Sequence, residues 1–111
     1  MKKKNYDILI RNKVPINLIK ENKQFKCSPV IYEDDIAVES LSSLKKEINS
    51  IKLENPRIDV TESIINSIEL LLHFAKSIGM SNSEIKCKRD QITRANGTYD
   101  DNILLRWVEE E

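Results

Sequence analysis

The chain has 111 residues, with 18 Lys and Arg against 18 Asp and Glu, two Gly, three Pro and two Cys. That length allows one domain whose core is small enough to gain from association, and so little Gly and Pro suits a helix-rich chain rather than a disordered one. No long uncharged apolar run is present, which excludes a membrane-spanning helix, and MKKKNYDILIRNK lacks the apolar stretch and cleavage site of a signal peptide, so a cytoplasmic location is expected.

Zero net charge hides alternating blocks: residues 1–26 carry +6, residues 27–75 carry −5, residues 76–94 carry +3 and residues 95–111 carry −4. Such alternation suits pairing between segments or subunits, whereas nucleic-acid binding needs one dominant basic surface and is a minority reading. Cys27 and Cys87 are far apart and have no CxxC spacing, so packing or surface thiols are expected rather than a zinc or redox site.

Taken in order, Lys2, Lys3 and Lys4 form a basic leader expected to be solvated. Tyr6, Ile8, Leu9 and Ile10 follow as an apolar segment, and then come Arg11-Asn12-Lys13 and Val14-Pro15, where Pro15 can start a short helix. Basic residues ahead of a helix start can hold an anion beside its free N–H groups, so Arg11, Asn12 and Lys13 are ligand-binding candidates; a solvated loop is the plainer alternative. Residues 28–32 read as an extended segment that Pro29 confines to an edge. Glu33, Asp34 and Asp35 open a helix with Leu41, Leu44, Ile48 and Ile51 as its apolar seam, and Glu47 and Ser50 could face the next helix.

After Asn55-Pro56-Arg57, with Asp59 or Thr61 as candidate caps, the stretch 62–78 is apolar on most of its circumference. Ile64, Ile65, Ile68, Leu71, Leu72, Ala75 and Ile78 form its main stripe, Leu70 and Phe74 a second flank, and Glu62, Asn66, Glu69 and His73 one narrow polar line. Such a helix needs neighbours on several sides, so an antiparallel hairpin completed by a homodimer or tetramer is expected. Gly79 is placed to end this helix, and Ser81-Asn82-Ser83-Glu84 is a capping box opening another through about Ala95, with Lys86, Lys88, Arg89 and Arg94 on its exposed side. Asn96-Gly97 ends that helix. Ile103, Leu105 and Trp107 then alternate as a strand, so the expected fold is mainly all-α, with a two-stranded β element pairing 28–32 with 103–107.

With these landmarks placed, the order of segments resembles the MazG-like all-α nucleotide pyrophosphohydrolase superfamily, in particular small proteins akin to phosphoribosyl-ATP pyrophosphohydrolase. Tyr6-Asp7-Ile8-Leu9-Ile10-Arg11-Asn12-Lys13-Val14-Pro15 is similar to the family opening Y-x-x-L-V-R-D-K-I-P, Leu44-Lys45-Lys46-Glu47-Ile48 sits where the first glutamate-rich helix lies, Glu62 to Ala75 looks like the second, and Asn96-Gly97-Thr98-Tyr99 resembles the closing G-G-F turn. The resemblance covers most of residues 1–111 and implies a single helical domain. It also implies Mg²⁺ held by acidic residues of two helices against a nucleotide's phosphates, since Mg²⁺ demands oxygen ligands.

Against that pattern the acidic set is depleted: E-E-x-x-E becomes Lys46-Glu47-Ile48-Asn49-Ser50, E-x-x-D becomes Ser63-Ile64-Ile65-Asn66, R-D-K becomes Arg11-Asn12-Lys13, and the basic residues after the turn become Asp100, Asp101 and Asn102. The expected function is therefore that of a catalytically degenerate relative that binds a nucleotide or other phosphorylated ligand weakly or acts through protein contacts. The alternatives are an active Mg²⁺-dependent pyrophosphohydrolase with Glu47, Glu62, Asn66 and Glu69 as its metal set, and a structural helical interaction module. Glu69 and His73, four residues apart, also form a candidate transition-metal pair, although a lone His on such a helix is more often simply hydrogen-bonded. Tyr99 and Trp107 could stack on a base but are more commonly packing residues.

Overall fold

The computed structural model describes residues 4–109. Four helices follow one another: α1 Val14–Lys20, α2 Glu33–Asn49, α3 Arg57–Ser77 and α4 Asn82–Asn96. The chain divides into two compact units, Met1–Met80 and Ser81–Glu111. Lys2 and Lys3 of the basic leader lie outside the described residues.

In the first unit, α1 is a short turn started by Pro15 at the head of the helix, where its missing N–H costs nothing. Glu33, Asp34 and Asp35 occupy the first turn of α2, as expected, and favour the positive end of its dipole. α3 starts a turn earlier than expected. Pro56 is its N-cap, Asp59 lies within its first turn, and the Thr61 hydroxyl donates to the Arg57 carbonyl at 2.8 Å, so neither Asp59 nor Thr61 caps it.

The far end of α3 closes with paired bonds: the Gly79 N–H donates to the Lys76 carbonyl and the Met80 N–H to the Ala75 carbonyl, both at 3.0 Å. This is the Schellman pattern, and it requires the left-handed backbone that Gly79 adopts at φ +92°.

α2 and α3 pack against each other as a hairpin. Their seam differs from the apolar lines read in the sequence. Its fully buried members on α2 are Ser40 and Ser43, at 0% and 2% exposure, with Leu44, while Leu41 is half-buried and Ile48 exposed. On α3 the half-buried line is Val60, Ser63, Ser67, Leu70, Phe74 and Ser77, so the helix turns its minor flank to its neighbour. The main stripe is left outside: Ile64, Ile65, Ile68, Leu71, Leu72 and Ile78 are all exposed, and Ala75 alone of it is buried.

Serines can serve as core here because they are small and their hydroxyls are satisfied locally. Ser40 donates to the Ile36 carbonyl, Ser67 to Ser63 and Ser77 to Phe74, each within its own helix, and no buried side-chain polar atom lacks a partner among the described residues.

In the second unit, Ser81 caps α4 as expected, its hydroxyl oxygen accepting the Glu84 N–H at 3.1 Å. Gly97, at φ +82°, ends the helix with its N–H on the Thr93 carbonyl at 2.8 Å. No residue of α4 is buried, and Lys86, Lys88, Arg89 and Arg94 are exposed, as are Cys87 here and Cys27 in the first unit.

The expected β element does not form: among the described residues there is no strand, and neither 28–32 nor 103–107 enters a ladder. Pro29 withholds a donor from the first segment, and in 103–108 the side opposite Ile103, Leu105 and Trp107 carries Leu104 and Val108 with Arg106 between them, so it has no clean inward face for a ribbon. Tyr99 and Trp107 are exposed.

Candidate functional site

The hairpin brings Glu47 of α2 opposite Asn66 of α3, and the N-terminal arm crosses above them. The Arg11 guanidinium donates to Asn66 Oδ1 at 3.0 Å, and Asn66 Nδ2 donates to Glu47 Oε1 at 3.3 Å. The amide is oriented by its neighbours, since only its oxygen can face a guanidinium and only its nitrogen a carboxylate. One turn along, the Ser50 and Ser63 hydroxyls lie 3.4 Å apart, and Ser50 also donates to the Glu47 carbonyl at 2.6 Å. Glu47 and Ser50 thus do face the second helix, as their spacing implied.

The arm is held by three further bonds. The Leu9 N–H donates to the buried Ser43 hydroxyl at 2.9 Å, and the Lys46 ammonium donates to the Asp7 carbonyl at 2.8 Å and the Tyr6 carbonyl at 3.4 Å. Asp7 takes a left-handed φ of +46°, a region that Asp tolerates better than most residues. Lys46 is therefore spent on backbone oxygens of the arm. Neither Ser43 nor Lys46 was singled out as an arm anchor in the sequence, because nothing local in the chain announces a partner some forty residues away.

The other candidates do not join this cluster. Glu62 and Glu69 are exposed on either side of Asn66 along α3, Asn12 is exposed, and Lys13 is the N-cap of α1. His73 lies about 10 Å further along α3 than Asn66. There it lines an open depression of about 540 Å³ with Glu33, Ile36, Lys76, Ser77, Ile78 and Gly79, where one carboxylate, one imidazole and one ammonium give no common charge preference.

The donor set around Glu47 does not fit Mg²⁺. It offers one carboxylate and one amide whose carbonyl oxygen already accepts from a cation, and among the described residues no three His, Cys, Asp or Glu cluster as a metal group. No helix of the described residues is long and apolar enough to cross a membrane. The chain matches no family model, no curated protein and no solved structure.

Proposed function

We propose that this chain is a catalytically degenerate MazG-like helical module that acts through contacts between copies of itself, in the cytoplasm, with a weak affinity for phosphorylated ligands left in its basic arm. The observation that carries the reading is the Arg11–Asn66–Glu47 hydrogen-bonded line across the hairpin. In the resemblance the two helices meet across a divalent cation. Here the chain's own exposed Arg11 guanidinium supplies the positive charge, a neutral amide links it to the Glu47 carboxylate, and the second helix has no acid at positions 63 or 66.

The arm carries Arg11 and Lys13 as exposed cations, which attract a phosphate at low ionic strength without fixing it. The apolar outer face of α3 supports the other half of the reading, since an exposed line of Ile and Leu on a hairpin this small marks a contact surface.

Calorimetric titration with Mg²⁺, and a screen of nucleoside triphosphates for pyrophosphate release with and without Mg²⁺, test the proposal. The expected outcome is no Mg²⁺ binding in the millimolar range and no turnover, with weak, salt-sensitive nucleotide binding that Arg11→Ala reduces. A pyrophosphate release abolished by Glu47→Gln would instead establish the active hydrolase, with Glu47, Glu62, Asn66 and Glu69 as its metal set.

A further inference from the structure

α3 carries two heptad-spaced lines, one residue apart. Val60, Ser63, Ser67, Leu70, Phe74 and Ser77 step by three and four and form the half-buried seam with α2. Thr61, Ile64, Ile68, Leu71, Ala75 and Ile78 step in the same rhythm one position later, and Ile64, Ile68 and Leu71 stand 45%, 48% and 53% exposed. A second apolar heptad line on a helix is what a second helical neighbour requires. Within Met1–Met80 the other helix is α1, only seven residues long, so the unit supplies one long partner where α3 is patterned for two.

α2 extends the open line on the same side of the hairpin. Asp34, Val38, Leu41, Lys45 and Ile48 recur at four, three, four and three, on the side of α2 away from Ser43 and Lys46, which hold the arm. This line begins acidic and ends basic, with Lys52 next beyond the helix. Laid against a copy running the same way, it sets Lys45 beside Lys45. Against a copy running the opposite way, Asp34 of each chain falls between Lys45 and Lys52 of the other.

The register agrees. The Ser50–Ser63 and Glu47–Asn66 bonds put Leu41 level with Leu72, one residue or about 1.5 Å along the axis from Leu71, so a single two-fold axis can pass close to both Leu41 and Leu71. About that axis Leu71 meets its own copy, Ile68 meets Ala75, and Ile64 meets Ile78, each contact apolar and reciprocal, as an isologous interface demands.

Resting on the oligomeric reading above, we infer that this face is a two-fold interface with a second copy of the chain. α3 packs antiparallel on α3 and α2 antiparallel on α2, closing a four-helix bundle with the N-terminal arms on its outer sides.

The test uses the full chain with Cys27→Ser and Cys87→Ser, carrying Leu71→Cys, Ile64→Cys or Ile78→Cys, with mass by light scattering and cross-linking under mild oxidation. The expected result is a dimer in which Leu71→Cys alone forms a disulfide, Ile64→Cys and Ile78→Cys alone do not, and a mixture of those two chains does. Leu71→Lys is expected to weaken the dimer at least about a hundredfold, with helix content checked by circular dichroism. A dimer in which Ile78→Cys links to itself, or in which none of the three positions links, overturns the two-fold geometry while the oligomeric reading stands. A wild-type chain monomeric at every attainable concentration overturns both.

Discussion

The two faces of the α2–α3 hairpin are built on opposite principles. One is covered: the arm lies over Ser43, Glu47 and Asn66, its bonds directional and polar, with its own Ile8 and Leu9 half-buried. The other is open and almost wholly apolar, with Ile64, Ile68 and Leu71 on α3 and Val38 and Ile48 on α2 exposed. The contrast separates two tasks. Directional bonds fix where a segment lies and contribute about 1 kcal/mol each, whereas apolar area supplies association energy without specifying geometry. The covered face therefore sets the arm's position, and the open face holds the larger reserve of free energy.

That contrast can be broken from the largest effect downward. Leu71→Lys on the open face is expected to cost roughly 3 kcal/mol or more per dimer, because each copy loses the buried leucine, and sedimentation against concentration reads it directly. Between the faces, Ser40→Leu forces a large side chain into a seam with 0% exposure there, and should lower stability by about 1–3 kcal/mol in urea unfolding at fixed chain concentration. Ser43→Ala on the covered face strands the Leu9 N–H and should cost about 1–2 kcal/mol, with faster amide exchange at Leu9. Arg11→Ala removes one exposed hydrogen bond and is expected to cost no more than about 1 kcal/mol, leaving the assembly intact. An Arg11→Ala loss larger than that of Leu71→Lys would reverse the assignment of the two faces.

Much of the helical layout was readable in the residues. Glu33, Asp34 and Asp35 mark the start of α2, Gly79 the end of α3, and Ser81 with Glu84 the start of α4, because capping chemistry is local and each signal lies within a few residues of what it controls. The α2–α3 seam was misread by one position. Hydrophobic periodicity weights Ile64, Ile68 and Leu71 above Ser63, Ser67 and Ser77, yet serines bonded to their own helix make the tighter seam, and the isoleucines are left outside.

The β element failed for a related reason: alternation at Ile103, Leu105 and Trp107 states a preference, but pairing needs a partner with free donors and a clean face. At the candidate site, Glu47 opposite Asn66 follows from helical spacing. The placement of Arg11 and Lys46 does not, since it depends on where an irregular arm lies.

The way α3 finishes has a practical consequence. Met80 is at once the last residue of the first unit and the donor of the outermost bond that closes α3, so a polypeptide stopped immediately after it keeps every amide needed to terminate the helix. Excising residues 81–111 should therefore leave a hairpin with an intact, unfrayed end. The division between the units is thus a natural place to shorten the protein, and amide exchange at Gly79 and Met80 in the shortened form would report whether the closure survives.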